Sequence, residues 1–183
     1  MLENLTVPYI GTLLMEPEPD RECWHEAGHA VVARHFGITV NGIGFTWAKG
    51  PENEPYPSAF LHLTCSNKEA EATTLMAGSA AEILKCGDFD HNGRRNDVEK
   101  LNESHCGHPP DYHIGLAIEI LRQRDTALRR VYEELMAAMA GNPKPTFRDK
   151  QDGLWKQVRL NRDAFDALIA KEGALRIQRG SSI

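Results

Sequence analysis

Residues 20–37 read DRECWHEAGHAVVARHFG and contain an HExxH motif within a predicted helix. Asp20 follows Pro17 and Pro19, and aspartate is a residue type that often caps the start of a helix. Glycine often ends one, which places the end at Gly37. The stretch therefore predicts one helix that begins near Asp20 and stops at Gly37.

His25, Glu26 and His29 form the motif. Because residues four apart lie on one face of a helix, both imidazoles can reach the same metal ion. Glu26 is turned about 100° from His25, which puts its carboxylate beside the metal, where it can hold a water molecule. Zinc lowers the pKa of its water to roughly 7, and a carboxylate can then take the proton and pass it to a leaving amine. We therefore take His25 and His29 as candidate metal ligands and Glu26 as the candidate catalytic residue.

A hydrolytic zinc ion needs three protein ligands and an open position, so a third ligand must be found. His35 is on the same predicted helix, but it is rotated about 120° from His29 and displaced about 9 Å along the axis, so it cannot join the pair. A glutamate of the next predicted helix would complete a His2Glu site, or Glu82 would accept a hydrogen bond from a ligating imidazole. The glutamates considered are Glu69, Glu71 and Glu82.

The segment after the first helix predicts a small sheet. Asn41-Gly42 is the strongest short signal for a hairpin turn, so residues 38–40 and 43–48 are predicted to pair across it. The other predictions here are a surface loop at the proline-rich residues 49–58 and a further strand at 59–64.

Most of the remaining chain has helical periodicity. We expect one domain over residues 1–183, mainly α with a small β-sheet (α+β), with a metal-site core at about 20–104 and a C-terminal helical bundle at 111–173. The predicted helices are 67–87, a short one that begins near Asp97 after a polar loop at 88–96, one long helix at 111–140, and a last helix at 162–172.

Three motifs follow one another along the chain: HEAGHAVVA at 25–33, AGSAAE at 77–82 and GRRNDV at 93–98. In this order they resemble the peptidase domain of the FtsH-type ATP-dependent zinc metalloproteases. The resemblance covers about residues 20–104 and, more loosely, the helices to 140. It implies that Asp97 is the third zinc ligand beside His25 and His29.

The resemblance implies a zinc-dependent metalloendopeptidase that hydrolyses short or unfolded polypeptides, which would bind along an edge of the small sheet. The family's membrane anchor and AAA ATPase have no counterpart in this sequence, and it contains no GxxxxGK[ST] loop. We therefore expect ATP-independent cleavage, with a separate substrate-delivering partner or a homo-oligomer as possible assemblies. The alternative is a non-catalytic, zinc-stabilised interaction module derived from such a protease, although the intact Glu26 argues against it.

Composition narrows the class of protein. The 183 residues are 41% hydrophobic and 26% charged, which is ordinary for a globular domain. The net charge of −5 argues against a general nucleic-acid binder. No apolar run approaches the roughly 18 residues of a membrane span, and no secretory signal is recognisable, so we expect a soluble cytoplasmic protein with free thiols.

A second metal pattern overlaps the loop before Asp97. Residues 88–99 satisfy D-x-[DN]-x-[DN]-G-x5-E, the calcium-binding pattern of EF-hands. Arg95 stands where such loops normally carry an apolar residue, and the chain has no sister loop, so the pattern argues only weakly for calcium. Its candidate ligands are Asp88, Asp90, Asn92 and Glu99.

Overall fold

The computed structural model describes residues 19–49, 55–64, 67–89, 91–104, 107–140 and 154–169. Across these ranges the chain is mostly helical, which confirms the prediction of a mainly α fold. The helices are α1 (Pro19–His35), α2 (Lys68–Cys86), α3 (His91–Ser104), α4 (Pro110–Gln123), α5 (Asp125–Ala140) and α6 (162–169). The strands are β1 (Thr39–Lys49), β2 (Pro55–Thr64) and β3 (Leu154–Asn161), which form an antiparallel sheet in the order β2-β1-β3.

The predicted hairpin at Asn41-Gly42 is wrong, because β1 runs straight through these residues. Val40 pairs with Leu63 and Gly42 with His62, so Asn41 is an extra residue in a β-bulge. A bulge bends and twists a strand without reversing it, and it suits the same residue types as a turn. The Asn41-Gly42 pair therefore indicated a backbone irregularity at the right place, but the irregularity is a bulge and not a turn.

Strand β2 begins earlier than expected, at Pro55, although residues 49–58 were predicted to be a loop. Residues 50–54 lie outside the described part of the chain. Pro55 and Pro57 are compatible with β2 because it lies at the edge of the sheet, where a missing N–H group breaks no ladder.

The predicted C-terminal helical bundle also needs correction, because the region 111–173 contributes β3 to the sheet. This strand pairs with β1, with Ile43 opposite Leu160 and Phe45 opposite Val158. Strand β1 is therefore the central strand. Helix α6 follows directly at 162–169, and residues 170–172 of the predicted last helix lie outside the described residues.

Helix α1 begins one residue earlier than predicted, so Asp20 lies in its first turn and is not the cap. Its carboxylate instead accepts hydrogen bonds from Lys85 and Tyr132. These long-range partners on α2 and α5 offset the loss of a local capping bond. Asp20 therefore joins three helices.

The predicted start of α2 and the predicted ends of α1 and α2 are confirmed. The side chain of Asn67 accepts hydrogen bonds from the backbone N–H groups of Glu69 (3.0 Å) and Ala70 (3.2 Å), which fixes the start of α2. Gly87 ends α2 with φ +82°, and Gly37 follows α1 with φ +72°. Both conformations favour glycine over residues with a side chain.

Helices α1 and α2 pack closely because their facing residues are small. A Cβ atom at Gly28 would lie 2.4 Å from the carbonyl oxygen of Ala77 and 2.7 Å from the Cβ of Ala81. Both distances are below any normal contact, so glycine is needed for this approach. The contact brings the HExxH face of α1 against α2.

The long helix predicted for 111–140 is two helices, separated at Arg124. The apolar spacing continues across the break, so the sequence pattern did not reveal it. Helix α4 packs on α2, where Oγ1 of Thr73 is 3.0 Å from Nδ1 of His113. Helix α5 instead packs on α1, where the rings of Trp24 and Tyr132 stack with their centroids 4.5 Å apart. One straight helix is less able to pack along both α2 and α1.

None of the helices among the described residues is long and apolar enough to span a bilayer. Two of the four cysteines lie in this part of the chain, and both are free: Cys23 is buried and Cys86 is exposed. Burial raises the pKa of the Cys23 thiol to about 12, which makes it a poor nucleophile.

Candidate metal centre

Both histidines of the HExxH motif direct the same ring nitrogen at one carboxylate oxygen. The Nε2 atom of His25 is 3.2 Å from Oδ2 of Asp97, and the Nε2 atom of His29 is 3.4 Å from it. All three residues are buried. The structure therefore brings together the three residues that the sequence indicated as metal ligands.

The position of Asp97 differs from the expectation in one respect. Helix α3 begins at His91, so Asp97 lies in its second turn and is not a capping residue. Turn-forming residues favour a loop before Asp97, but Arg94 packs on the ring of Phe89 and its guanidinium pairs with Asp111 at 3.0 Å. Both contacts of Arg94 lie at the first turn of α3. The rigid helix then presents Asp97 to α1.

The second ring nitrogen of each histidine also has a hydrogen-bond partner. The Nδ1 atom of His25 donates to Oε1 of Glu82 at 2.6 Å, and that of His29 donates to the main-chain carbonyl of Thr74 at 2.6 Å. Carboxylate and carbonyl oxygens only accept, so the protons of these bonds belong to Nδ1. This fixes both tautomers and leaves the Nε2 lone pairs directed at Asp97.

The arrangement fits a metal ion. Ligand atoms about 2.0–2.2 Å from a tetrahedral zinc ion are about 3.3–3.6 Å apart, close to the two measured distances of 3.2 and 3.4 Å. Two nitrogen lone pairs and a carboxylate oxygen repel one another unless a cation or protons lie between them. Imidazole nitrogen and carboxylate oxygen are both ligands that bind zinc in proteins. The residues present therefore fit the ion that the motif implies.

Without a metal, protons take the place of the cation. Burial lowers the pKa of His25, but its hydrogen bonds to Asp97 and Glu82 outweigh burial and raise that pKa well above its ordinary range. Burial raises the pKa of Asp97, yet the charge of His29 and the hydrogen bonds from both imidazoles bring it well below its ordinary range. The centre therefore attracts positive charge in either form.

Glu26 lies beside these ligands and has a different environment. Its side chain is 6% exposed, and its Oε2 atom has no hydrogen-bond partner among the described residues. Burial raises the pKa of its carboxyl, opposed by the charges of His29 and His25. One ligand-type atom from each of Glu26, His25 and His29 lies within 4.8 Å of the others. A buried carboxylate oxygen without a hydrogen-bond partner is costly, and such groups are more common at functional sites.

The alternative third ligands do not reach this centre. Glu82 contacts Nδ1 of His25, the nitrogen directed away from Asp97, so it supports a ligand instead of competing for the metal. His35 is exposed at the end of α1. Glu69 and Glu71 lie in the first turn of α2, where acidic residues are favoured by the helix dipole.

Two contributors were not visible in the sequence. Thr74 acts through its backbone carbonyl, which any residue type supplies, so no side-chain pattern marks it. Arg21 donates from Nε to Oε2 of Glu82 at 2.5 Å. The sequence indicates only that Arg21 precedes His25 by one helical turn, so the two residues share one face of the helix.

The calcium pattern at 88–99 does not form an EF-hand loop. Helix α3 begins at His91, inside the stretch that would have to wrap around the ion. Glu99 lies in that helix and pairs with Arg95 at 3.1 Å, while Asp88 pairs with Arg21 at 3.0 Å. Asp90 is outside the described residues, as is the side chain of Asn92.

No family model matches this chain, and no curated protein sequence matches it. The resemblance to FtsH-type peptidases therefore rests on the three motifs and remains a prediction.

Proposed function

We propose that this chain is a zinc-dependent metalloendopeptidase with an FtsH-like peptidase domain. In this proposal His25, His29 and Asp97 hold the ion, and Glu26 is the general base and then the general acid. The observation that supports it best is the convergence of both Nε2 atoms on Oδ2 of Asp97, at 3.2 and 3.4 Å, beside the buried Glu26, whose Oε2 atom has no hydrogen-bond partner among the described residues.

When bound, zinc supplies Lewis-acid polarisation of a substrate carbonyl and makes a water molecule more acidic. The protein's part is proton transfer at Glu26. Its Oε2 atom accepts the proton from water and later returns it to the amine that leaves the cleaved peptide bond.

The substrate would add a strand to the sheet. Strand β1 is paired on both sides, so β2 and β3 supply the edges of the sheet. An extended polypeptide pairs with such an edge through its backbone, which favours unfolded segments over folded ones. Among the described residues, β2 also packs against α1, the helix of the HExxH motif.

The competing function is a zinc-stabilised module without catalysis. Such a module needs the ligands but has no use for Glu26. Burying an unpaired carboxylate destabilises a fold, so a purely structural centre would favour an apolar or paired side chain at this position. The environment of Glu26 therefore favours the enzyme.

The test is Glu26→Gln, compared with Glu22→Gln one turn earlier on α1. We expect Glu26→Gln to retain one zinc ion per chain and to reduce cleavage of unfolded casein at least about 100-fold, because proton transfer is lost. Glu22→Gln should retain both properties. Equal cleavage by Glu26→Gln and the unsubstituted protein would exclude this mechanism, and a zinc-loaded protein that cleaves nothing would favour the non-catalytic module.

A further inference from the structure

An arginine near the surface is connected by side-chain contacts to the candidate metal centre. Arg21 donates from Nε to Oε2 of Glu82 at 2.5 Å and from Nη2 to Oδ1 of Asp88 at 3.0 Å. The other oxygen of Glu82 accepts from Nδ1 of His25 at 2.6 Å. A continuous series of contacts therefore runs from Asp88 through Arg21 and Glu82 to His25.

These contacts join α1 and α2 to the connection that precedes α3. Arg21 lies on α1 with both histidines, Glu82 lies on α2, and Asp88 lies in the connection that leads into α3. Helix α3 carries Asp97 and packs mainly on α2. The guanidinium therefore links all three segments on the side of His25 that faces away from Asp97.

The charge of Glu82 requires this partner. Its side chain is 2% exposed, whereas that of Arg21 is 28% exposed and retains contact with water. A buried carboxylate is tolerated when it is paired and hydrogen-bonded. With Arg21 on one oxygen and His25 on the other, the carboxylate of Glu82 is held in a single orientation. Without Arg21, the Oε2 atom of Glu82 would lose its charged donor.

We propose that Arg21 is a positioning residue that sets the zinc affinity of the centre by fixing the carboxylate of Glu82 and, through Asp88, the segment before α3. The proposal rests on the metal site of the proposed function. Partners that orient a ligating imidazole commonly change metal affinity by about 10–100-fold when they are removed. Arg21 acts one contact further out, so its effect should lie at the lower end of this range.

The role needs an arginine. Its Nε and Nη2 donors have a fixed planar geometry and reach two different carboxylates at once. A lysine at this position would offer a point charge on a flexible stem, which can pair with Glu82 but cannot fix both partners. Arg21→Lys should therefore restore part of the affinity that Arg21→Gln loses.

The experiment measures zinc dissociation constants by competition with a chromogenic chelator. We expect Arg21→Gln to bind zinc about tenfold more weakly than the unsubstituted protein, with Arg21→Lys between the two. The matched control is Arg34→Gln on the same helix, whose guanidinium lies 3.9 Å from Asp166 and which has no contact with Glu82 or Asp97 among those described. Its zinc affinity should not change.

A double-mutant cycle separates positioning from a general effect on folding. If Arg21 acts through Glu82, Arg21→Gln should change the zinc affinity less than about twofold when Glu82→Gln is already present. An equal loss in both backgrounds would overturn the proposal. The circular dichroism of each metal-free variant establishes that it is folded, and Arg21→Lys retains the charge if Arg21→Gln fails to fold.

The outcomes distinguish this proposal from the proposed function. One tightly bound zinc ion in the unsubstituted protein, with equal affinity in Arg21→Gln, would overturn the role of Arg21 and leave the metal centre intact. If Arg21→Lys binds zinc as weakly as a folded Arg21→Gln, the argument that the two fixed donors of arginine are needed would be overturned. A protein that binds no zinc would overturn both proposals.

Discussion

The imidazole of His25 fills the space that the missing side chain of Gly78 leaves on α2. A Cβ atom at position 78 would lie 2.4 Å from Nε2 of His25 and 2.5 Å from its Cε1. The ring cannot easily move aside, because its Nδ1 is held by Glu82 at 2.6 Å. The small-residue run that resembles a family motif therefore has a direct physical role at the candidate centre.

Gly78→Ala should remove zinc binding and destabilise the metal-free protein by about 1–3 kcal/mol, because the new methyl group displaces the His25 ring in a packed interior. The measurements are zinc content after purification and urea unfolding in the presence of a chelator.

The matched control is Gly115→Ala on α4, where a Cβ atom meets nothing within 4 Å. That substitution should retain zinc and stabilise the protein by about 0.5–1 kcal/mol, as alanine does in an open helical position. If Gly78→Ala binds zinc as tightly as this control, His25 is not a ligand in the observed orientation.

Asp97→Asn tests the third ligand. The amide is nearly isosteric but neutral, so it should weaken zinc binding at least about tenfold while the helix stays intact. Glu99→Gln is the control on the same helix, since Glu99 is exposed and pairs only locally with Arg95 among the contacts described above. Metal analysis of both variants under equal zinc supply measures the effect. A normal zinc content in Asp97→Asn would show that Asp97 is not the third ligand.

Helix α2 shows which part of the fold the sequence could predict. Its start at Asn67 and its end at Gly87 depend on hydrogen bonds and backbone angles within a few residues, so the local sequence was sufficient. Asn41-Gly42 shows the limit, because a turn and a bulge use the same residue types and only the pairing of β1 with its neighbours distinguishes them. The break at Arg124 depends likewise on which helices pack against each side.

The candidate centre was likewise predictable only in part. The spacing of His25, Glu26 and His29 predicts their shared location, because four residues make about one helical turn. Asp97 was identified from a family resemblance, and its place in the second turn of α3 was not predicted, because the turn-forming residues 91–94 favour a loop. Arg21 could not be recognised, since its partners Glu82 and Asp88 are more than sixty residues away along the chain.

The stability of the metal-free protein should fall as the pH rises above the ordinary histidine range. Burial opposes protonation of His25, but its hydrogen bonds to Asp97 and Glu82 raise its pKa well above 6.5. A pKa raised by folding adds stability that is complete below the unfolded value and is lost as the pH rises through the folded value. Burial also raises the pKa of Glu26, and that group likewise favours the folded state less as pH increases.

Asp97 does not change this trend, because its lowered pKa keeps it ionised throughout the neutral range. Zinc binding has the opposite dependence, since protons compete with the ion for the Nε2 atoms. The stabilisation by zinc, measured as the difference in melting temperature between zinc-loaded and chelator-treated protein, should therefore grow between about pH 6 and 8.5. The control His108→Gln alters an exposed histidine and should leave this slope unchanged. A pH-independent difference would mean that zinc does not displace a proton from His25.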